Sequence, residues 1–121
     1  MSGMVTEPMC IDPTVLGTLR AELGEDADTI IADMIDSFPA ETQTQLARII
    51  PGAPAGELAK AAHRLRGSAL NLGATALCDV CARTELAANN GDAAGALANR
   101  EDIVRELTRV VEALPSLRSA G

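Results

Sequence analysis

Residues 57–72 read ELAKAAHRLRGSALNL, and this stretch decides the fold class of the chain. An α-helix turns by about 100° per residue, because it has roughly 3.6 residues per turn. At that angle five apolar side chains fall within about 40° of one line, which suits a core-facing stripe: Leu58, Ala62, Leu65, Ala69 and Leu72. His63 lies about 140° from the centre of this stripe, so it is predicted to face solvent.

Helix-breaking residues divide the N-terminal half into segments of helical length. Asp12 followed by Pro13 is typical of a helix start, and Gly24 is predicted to end this first short helix. A second helix is predicted from about residue 25 to residue 50. Pro39 lies inside that segment and is expected to kink the helix or to split it in two.

The same signals continue through the C-terminal half. The central helix is predicted to run from residue 54 or 55 to residue 72, followed by a helix over residues 75–89. Asp92 is expected to cap a last helix that Pro115 stops. The apolar stripe predicted for this last helix has five members: Leu97, Val104, Leu107, Val111 and Leu114.

Short connections between successive helices favour antiparallel neighbours. The sequence therefore predicts an all-α protein, an antiparallel four-helix bundle with an additional short N-terminal helix. The predicted bundle covers residues 11–115 as one domain. Residues 1–10 and 116–121 are predicted to be flexible.

Composition excludes several classes of function. The 121 residues include 17 acidic and 10 basic side chains, no Trp, no Tyr and one Phe, which argues against a nucleic-acid binder. No run of about 18 apolar residues occurs, and the first ten residues lack the features of a signal peptide. We therefore expect a cytoplasmic protein that does not bind membranes. Its Ala-rich and Arg-rich usage suggests a bacterial source.

Three cysteines are expected to stay reduced in that compartment. Cys78 and Cys81 form a CxxC on a predicted helix, but no second pair of ligands accompanies them. Cys81 shares a helix face with the apolar Leu77, so burial as a small hydrophobic residue is the favoured interpretation. No metal site is predicted.

The outer face around His63 carries an unusual set of neighbours. Its basic residues are Lys60, Arg64 and Arg66, and its small or apolar residues are Ala59, Gly67 and Leu70. Glycine within a helix costs roughly 1 kcal/mol relative to alanine, so local stability does not explain Gly67. The set suits a nucleophile that receives an anionic group from a docked partner. The alternatives are a solvated histidine, a solvated basic face, and a glycine that relieves crowding where two helices cross.

Residues 62–74, AHRLRGSALNLGA, resemble the signature of histidine phosphotransfer (HPt) domains of bacterial phosphorelays. That signature has His, any residue, Leu, Lys, Gly and Ser, then Leu-Gly-Ala at the helix end. Leu77, Cys78 and Glu85 fit the next helix of the family, and the family fold is a four-helix bundle of about this length. The sequence departs from the family in having Arg66 where Lys is usual, which keeps the charge but changes its geometry.

The resemblance implies reversible phosphoryl transfer between His63 and an aspartate of a response-regulator receiver domain. It implies a hybrid histidine kinase as a further partner, Mg²⁺ supplied by the receiver, and no cofactor of the chain's own. Arg66 and Lys60 are expected to stabilise the phosphoryl group, with Arg64 stabilising it or docking the partner. Gly67 would supply clearance, Leu70 and Ala59 docking contacts, and Ser68 or Asn71 a hydrogen bond.

Two further expectations complete this interpretation. The chain is predicted to act as a stand-alone phosphotransfer protein and not as a kinase, since Arg64 follows the histidine where kinase helices carry an acidic residue. We therefore expect no labelling by ATP alone. The alternative function is a helical adaptor that binds a kinase or receiver domain and never carries phosphate. The oligomeric state is left open.

Overall fold

The computed structural model describes residues 10–119, which contain six α-helices and no strand. Their bounds are α1 Pro13–Leu23, α2 Ala27–Leu46, α3 Ala55–Leu72, α4 Thr75–Asn89, α5 Ala93–Ala98 and α6 Arg100–Ser119. A 3₁₀ turn, Gly24–Asp26, joins α1 to α2. Helices α2, α3, α4 and α6 form the bundle, in which α2 contacts α3 and α6, and α4 contacts the same two. The predicted all-α bundle with an extra N-terminal helix is confirmed.

Local capping explains why α1 and α3 have the predicted bounds. The Asp12 carboxylate accepts a hydrogen bond from the Thr14 backbone N–H at 2.9 Å, and Pro13 occupies the first turn. Hydrogen bonds from Thr14 lower the pKa of Asp12 below its usual value. Gly73 ends α3 in the left-handed conformation, with φ of 78°. The residues predicted from the sequence as helix caps thus set the start of α1 and the end of α3.

Pro39 and Pro115 both lie inside helices, which excludes the predicted split at Pro39 and corrects the predicted stop at Pro115. Pro39 lies within the single helix α2, which ends at Leu46 and does not reach residue 50. Phe38 and Ile35 are buried beside it, and two such side chains outweigh the roughly 3 kcal/mol cost of an internal proline. Pro115 does not stop the last helix, because α6 continues to Ser119.

The predicted single last helix is two helices in the structure. Asp92 caps α5 by accepting a hydrogen bond from the Gly95 N–H at 2.8 Å, but Asn99 separates α5 from α6. This break changes the register of the buried face. Ile103 and Val110 are fully buried although the predicted stripe omits them. Three members of that stripe, Leu97, Val104 and Val111, are only partly buried against the core.

The predicted flexible segments, 1–10 and 116–121, fall partly outside the described residues. Within the described range, Cys10 is half-buried, and its thiol lies 3.7 Å from the backbone oxygen of Arg109. Residues 116–119 continue α6, and Leu117 packs partly buried against the core. The helical bundle therefore extends past the predicted limit of residue 115. Among residues 10–119, no helix is both long and apolar enough to cross a membrane.

The structure distinguishes the two cysteines of the CxxC. Cys81 is fully buried and Cys78 is half-buried, and burial raises the pKa of Cys81 to about 12. Because only the thiolate attacks alkylating reagents, Cys81 is expected to stay unmodified in the folded protein at pH 8 while Cys78 reacts slowly. Peptide mass spectrometry before and after unfolding in guanidinium measures both rates. Equal labelling of the two thiols in the native protein would contradict this burial.

Candidate functional site

Helix α3 presents His63 to solvent because its opposite face is committed to the core. All five residues of the predicted stripe are buried, and Ala61 is buried beside them. The side chain of His63 is 64% exposed. The predicted orientation of His63 is therefore confirmed.

A carboxylate on α4 holds one nitrogen of the His63 ring. Oε2 of Glu85 lies 3.0 Å from Nδ1 of His63, and Oε1 of Glu85 accepts a hydrogen bond from Nε of Arg66 at 2.9 Å. Nη2 of Arg66 lies 3.3 Å from the same Nδ1. The three side chains form one network that joins α3 to α4.

This network selects the tautomer of the histidine. A guanidinium only donates hydrogen bonds and an ionised carboxylate only accepts them, so Nδ1 cannot satisfy both Arg66 and Glu85. The contact with Glu85 is the shorter one, and it requires a proton on Nδ1. We therefore assign the proton of neutral His63 to Nδ1, which leaves the lone pair on Nε2.

An open depression of about 360 Å³ lies beside the imidazole. We call it the His63 depression, and six residues line it: Ala59, Lys60, His63, Arg64, Glu85 and Asn89. Lys60 pairs loosely with Glu57 at 3.6 Å, and both side chains are well exposed. The structure thus brings Ala59, Lys60 and Arg64 around His63, as the sequence predicted. Arg66 lies outside this lining.

Gly67 is an exposed helical glycine with open space around it. A Cβ built on Gly67 would meet nothing within 4 Å outside its own helix, so no neighbouring helix requires the glycine. This finding removes the alternative in which Gly67 relieves crowding at a helix crossing. Leu70, one turn further on, is 53% exposed. The pair leaves open space and an exposed apolar side chain on the face of α3 that carries His63.

Ser68 and Asn71 lie elsewhere on α3. They line a polar groove against α2 that includes Ser37 and Glu41, and neither residue lines the His63 depression. The geometry places Ser68 about 140° around the helix from His63, so it faces away from the imidazole. The structure does not bring these two side chains to the histidine.

Sequence reasoning missed two members of the site, and both lie on α4. Glu85 was matched only as part of the following helix, and Asn89 was not singled out. The two are four residues apart, so they share one helix face, and that face lies against the His63 side of α3. The spacing within α4 was visible in the sequence, but the packing of α4 against α3 was not.

The described residues contain no group of three or more His, Cys, Asp or Glu side chains that would hold a metal ion. The prediction that the chain has no metal of its own stays a prediction. The site therefore offers a solvent-facing imidazole that is protonated on Nδ1 and has basic side chains beside it.

Comparison with known proteins gives two findings. A family model described as Hpt domain matches residues 14–117. A crystal structure of histidine-containing phosphotransfer protein B from Pseudomonas aeruginosa is similar in fold, with a TM-score of 0.80 and 23% sequence identity. The similarity covers 95% of this chain and 99% of that one. No curated protein sequence matches the chain.

Proposed function

Because this chain belongs to the Hpt domain family and so acts in a phosphorelay, we propose that His63 is the residue that carries the phosphoryl group. The observation that supports this proposal is the exposed imidazole whose Nδ1 is held by Glu85 at 3.0 Å. That contact leaves Nε2 as the nitrogen with a free lone pair. An uncharged, solvent-accessible ring nitrogen is a competent nucleophile.

The proposed step is a direct transfer from an aspartyl phosphate. Nε2 attacks the phosphorus atom, a phosphorus–nitrogen bond forms, and the bond from phosphorus to the aspartate oxygen breaks. The carboxylate leaves with the bonding electrons, and the imidazole ring gains a positive charge. The proton on Nδ1 stays in place opposite Glu85, whose negative charge stabilises the ring. The reverse step follows the same path.

Kinases and response regulators of phosphorelays are the partners of this family. We propose more specifically that His63 exchanges its phosphoryl group with the aspartate of a receiver domain, including that of a hybrid histidine kinase. In this proposal the receiver also supplies Mg²⁺ to neutralise the transferring phosphoryl oxygens. Gly67 and Leu70 provide the open apolar surface on which the receiver docks.

Phosphate transfer from a panel of labelled receiver domains tests the proposal. We expect label on this chain that is lost in acid and retained in base, which is the behaviour of a phosphohistidine. ATP without a kinase is expected to give no label. A correctly folded chain that takes no label from any receiver would move the assignment to the adaptor that binds its partner without carrying phosphate.

Glu85 provides a sharper test of the mechanism. Glu85→Ala is expected to slow transfer about 10–100-fold, by analogy with the cost of removing the hydrogen-bond partner that orients a metal-bound histidine. Glu85→Gln is expected to lose less, since its amide oxygen still accepts a hydrogen bond from the N–H of Nδ1. Transfer from a labelled receiver, quenched at a series of times, measures the rates.

Glu106→Ala is the matched control for this experiment. Glu106 pairs with Arg109 at 2.9 Å on α6, and its side chain is as sheltered as that of Glu85. The backbone of α6 does not come close to that of α3 among the described residues, so this variant is expected to transfer at the wild-type rate. Wild-type transfer by Glu85→Ala would show that the carboxylate has no role in orienting the ring.

A further inference from the structure

We propose that Arg64, together with Lys60 and Asn89, binds the phosphoryl group in the His63 depression, and that Arg66 is a positioning residue for the imidazole. This inference rests on the proposed phosphorylation of His63. It changes the role that the resemblance implied for Arg66, which was expected to stabilise the phosphoryl group together with Lys60.

Arg66 is already committed to Glu85. Its Nε donates to the Glu85 carboxylate at 2.9 Å, while its Nη2 lies 3.3 Å from the protonated Nδ1 of His63 and forms no hydrogen bond with it. The Arg66 side chain is only 32% exposed, and it does not line the depression. A guanidinium held in this way fixes Glu85, and through Glu85 it fixes the ring. If Arg66 left Glu85 to reach the phosphoryl group, the carboxylate that orients the imidazole would no longer be fixed.

Arg64 has the opposite properties. It lines the depression, is exposed, and forms no hydrogen bond or ion pair with the described residues. Its guanidinium is therefore free to bind two phosphoryl oxygens at once. Lys60 lines the same depression, and its exposed contact with Glu57 is weak enough to give way to an anion.

Asn89 closes the depression from α4. It lies one helical turn after Glu85, and its side-chain amide has no hydrogen-bond partner among residues 10–119. An amide N–H donates to phosphoryl oxygens without adding charge. Donors from α3 and α4 therefore converge beside His63, which is the arrangement that holds a tetrahedral anion.

A small phosphoryl donor separates phosphoryl binding from partner docking. With phosphoramidate as donor, Arg64→Gln is expected to raise the concentration needed for half-maximal labelling about tenfold, because the glutamine amide replaces two charge-assisted hydrogen bonds by at most one neutral hydrogen bond. Asn89→Ala is expected to raise it about threefold. Arg66→Gln is expected to lower the maximal rate and leave this concentration little changed, because it disturbs the ring and not the binding of the donor.

Arg48→Gln is the matched control, since Arg48 is an exposed arginine beyond the end of α2 and outside the depression. It is expected to label like the wild type. Arg64→Lys is expected to recover part of the loss. Circular dichroism establishes that each variant is folded.

Two results would overturn the inference. One is an Arg64→Gln variant that needs the same phosphoramidate concentration for half-maximal labelling as Arg48→Gln. If that variant is slowed only in transfer from receivers, Arg64 serves docking alone. The other is an Arg66→Gln variant with the larger loss of donor binding. Failure of the proposed function is distinguished from both, because the wild-type chain itself would then take no label from any donor.

Discussion

His63→Gln is expected to abolish phosphoryl transfer to the chain. Glutamine has an amide in place of the ring, and an amide nitrogen has no free lone pair with which to attack phosphorus. His63 is the only histidine in the sequence, so no second imidazole can take the label. Because the side chain is exposed and its one hydrogen bond is to Glu85, the free energy of unfolding is expected to change by no more than about 1.5 kcal/mol. Transfer from a labelled receiver and a thermal melt measure the two quantities.

The same variant separates the two functions that the sequence left open. A phosphotransfer protein loses its regulatory effect together with the label, whereas an adaptor keeps its effect on the kinase or receiver. Acid-labile label that persists on His63→Gln would contradict the assignment of His63.

Gly73→Ala is expected to destabilise the fold strongly, although it adds only one methyl group. Gly73 has φ of 78°, a conformation that costs other residues about 1–2 kcal/mol. Its new Cβ would lie 2.8 Å from the backbone oxygen of Asp12 and 2.9 Å from Cβ of Val15. Asp12 also donates its backbone N–H to the oxygen of Gly73 at 2.7 Å, so α1 cannot move away freely.

Together these terms predict that Gly73→Ala lowers the free energy of unfolding by about 2–5 kcal/mol. Urea unfolding followed by circular dichroism measures the loss. Gly67→Ala is the matched control, because it adds the same methyl group in open space within a helix. It is expected to raise stability by up to about 1 kcal/mol while slowing transfer from a receiver, since the methyl occupies the docking surface. Equal stability changes in the two variants would refute the packing of α1 on Gly73.

The sequence predicted the fold best where local signals act alone. Asp12, Pro13 and Gly73 fix helix ends through capping and backbone conformation, and these ends were confirmed. Pro115 was misjudged as a helix stop because a local rule was applied where packing decides, and of the two outcomes predicted for Pro39 the split does not occur. Around Pro39 the burial of Phe38 and Ile35 keeps α2 in one piece.

The site, like the fold, was predicted from the sequence only where its residues lie on a single helix. The exposure of His63 and its basic neighbours on α3 followed from a period of 3.6 residues, because all of them lie on one helix. Glu85 and Asn89 belong to another helix, and no pattern within α4 shows which face meets α3. Ser68 and Asn71 were missed for a different reason: they lie on α3 itself, and helix periodicity already places Ser68 about 140° from His63.

By itself, the sequence determined the class of fold, the helix that carries the histidine and the side of that helix on which His63 lies. These properties follow from helix geometry and capping, which depend on residues a few positions apart. Only the tertiary structure decided which nitrogen of His63 is free, because that depends on a carboxylate 22 residues away that the packing of α4 brings to 3.0 Å. It also decided that Arg66 is held by Glu85 while Arg64 is free, since charges of the same sign on one helix are distinguished by the neighbours that other helices supply.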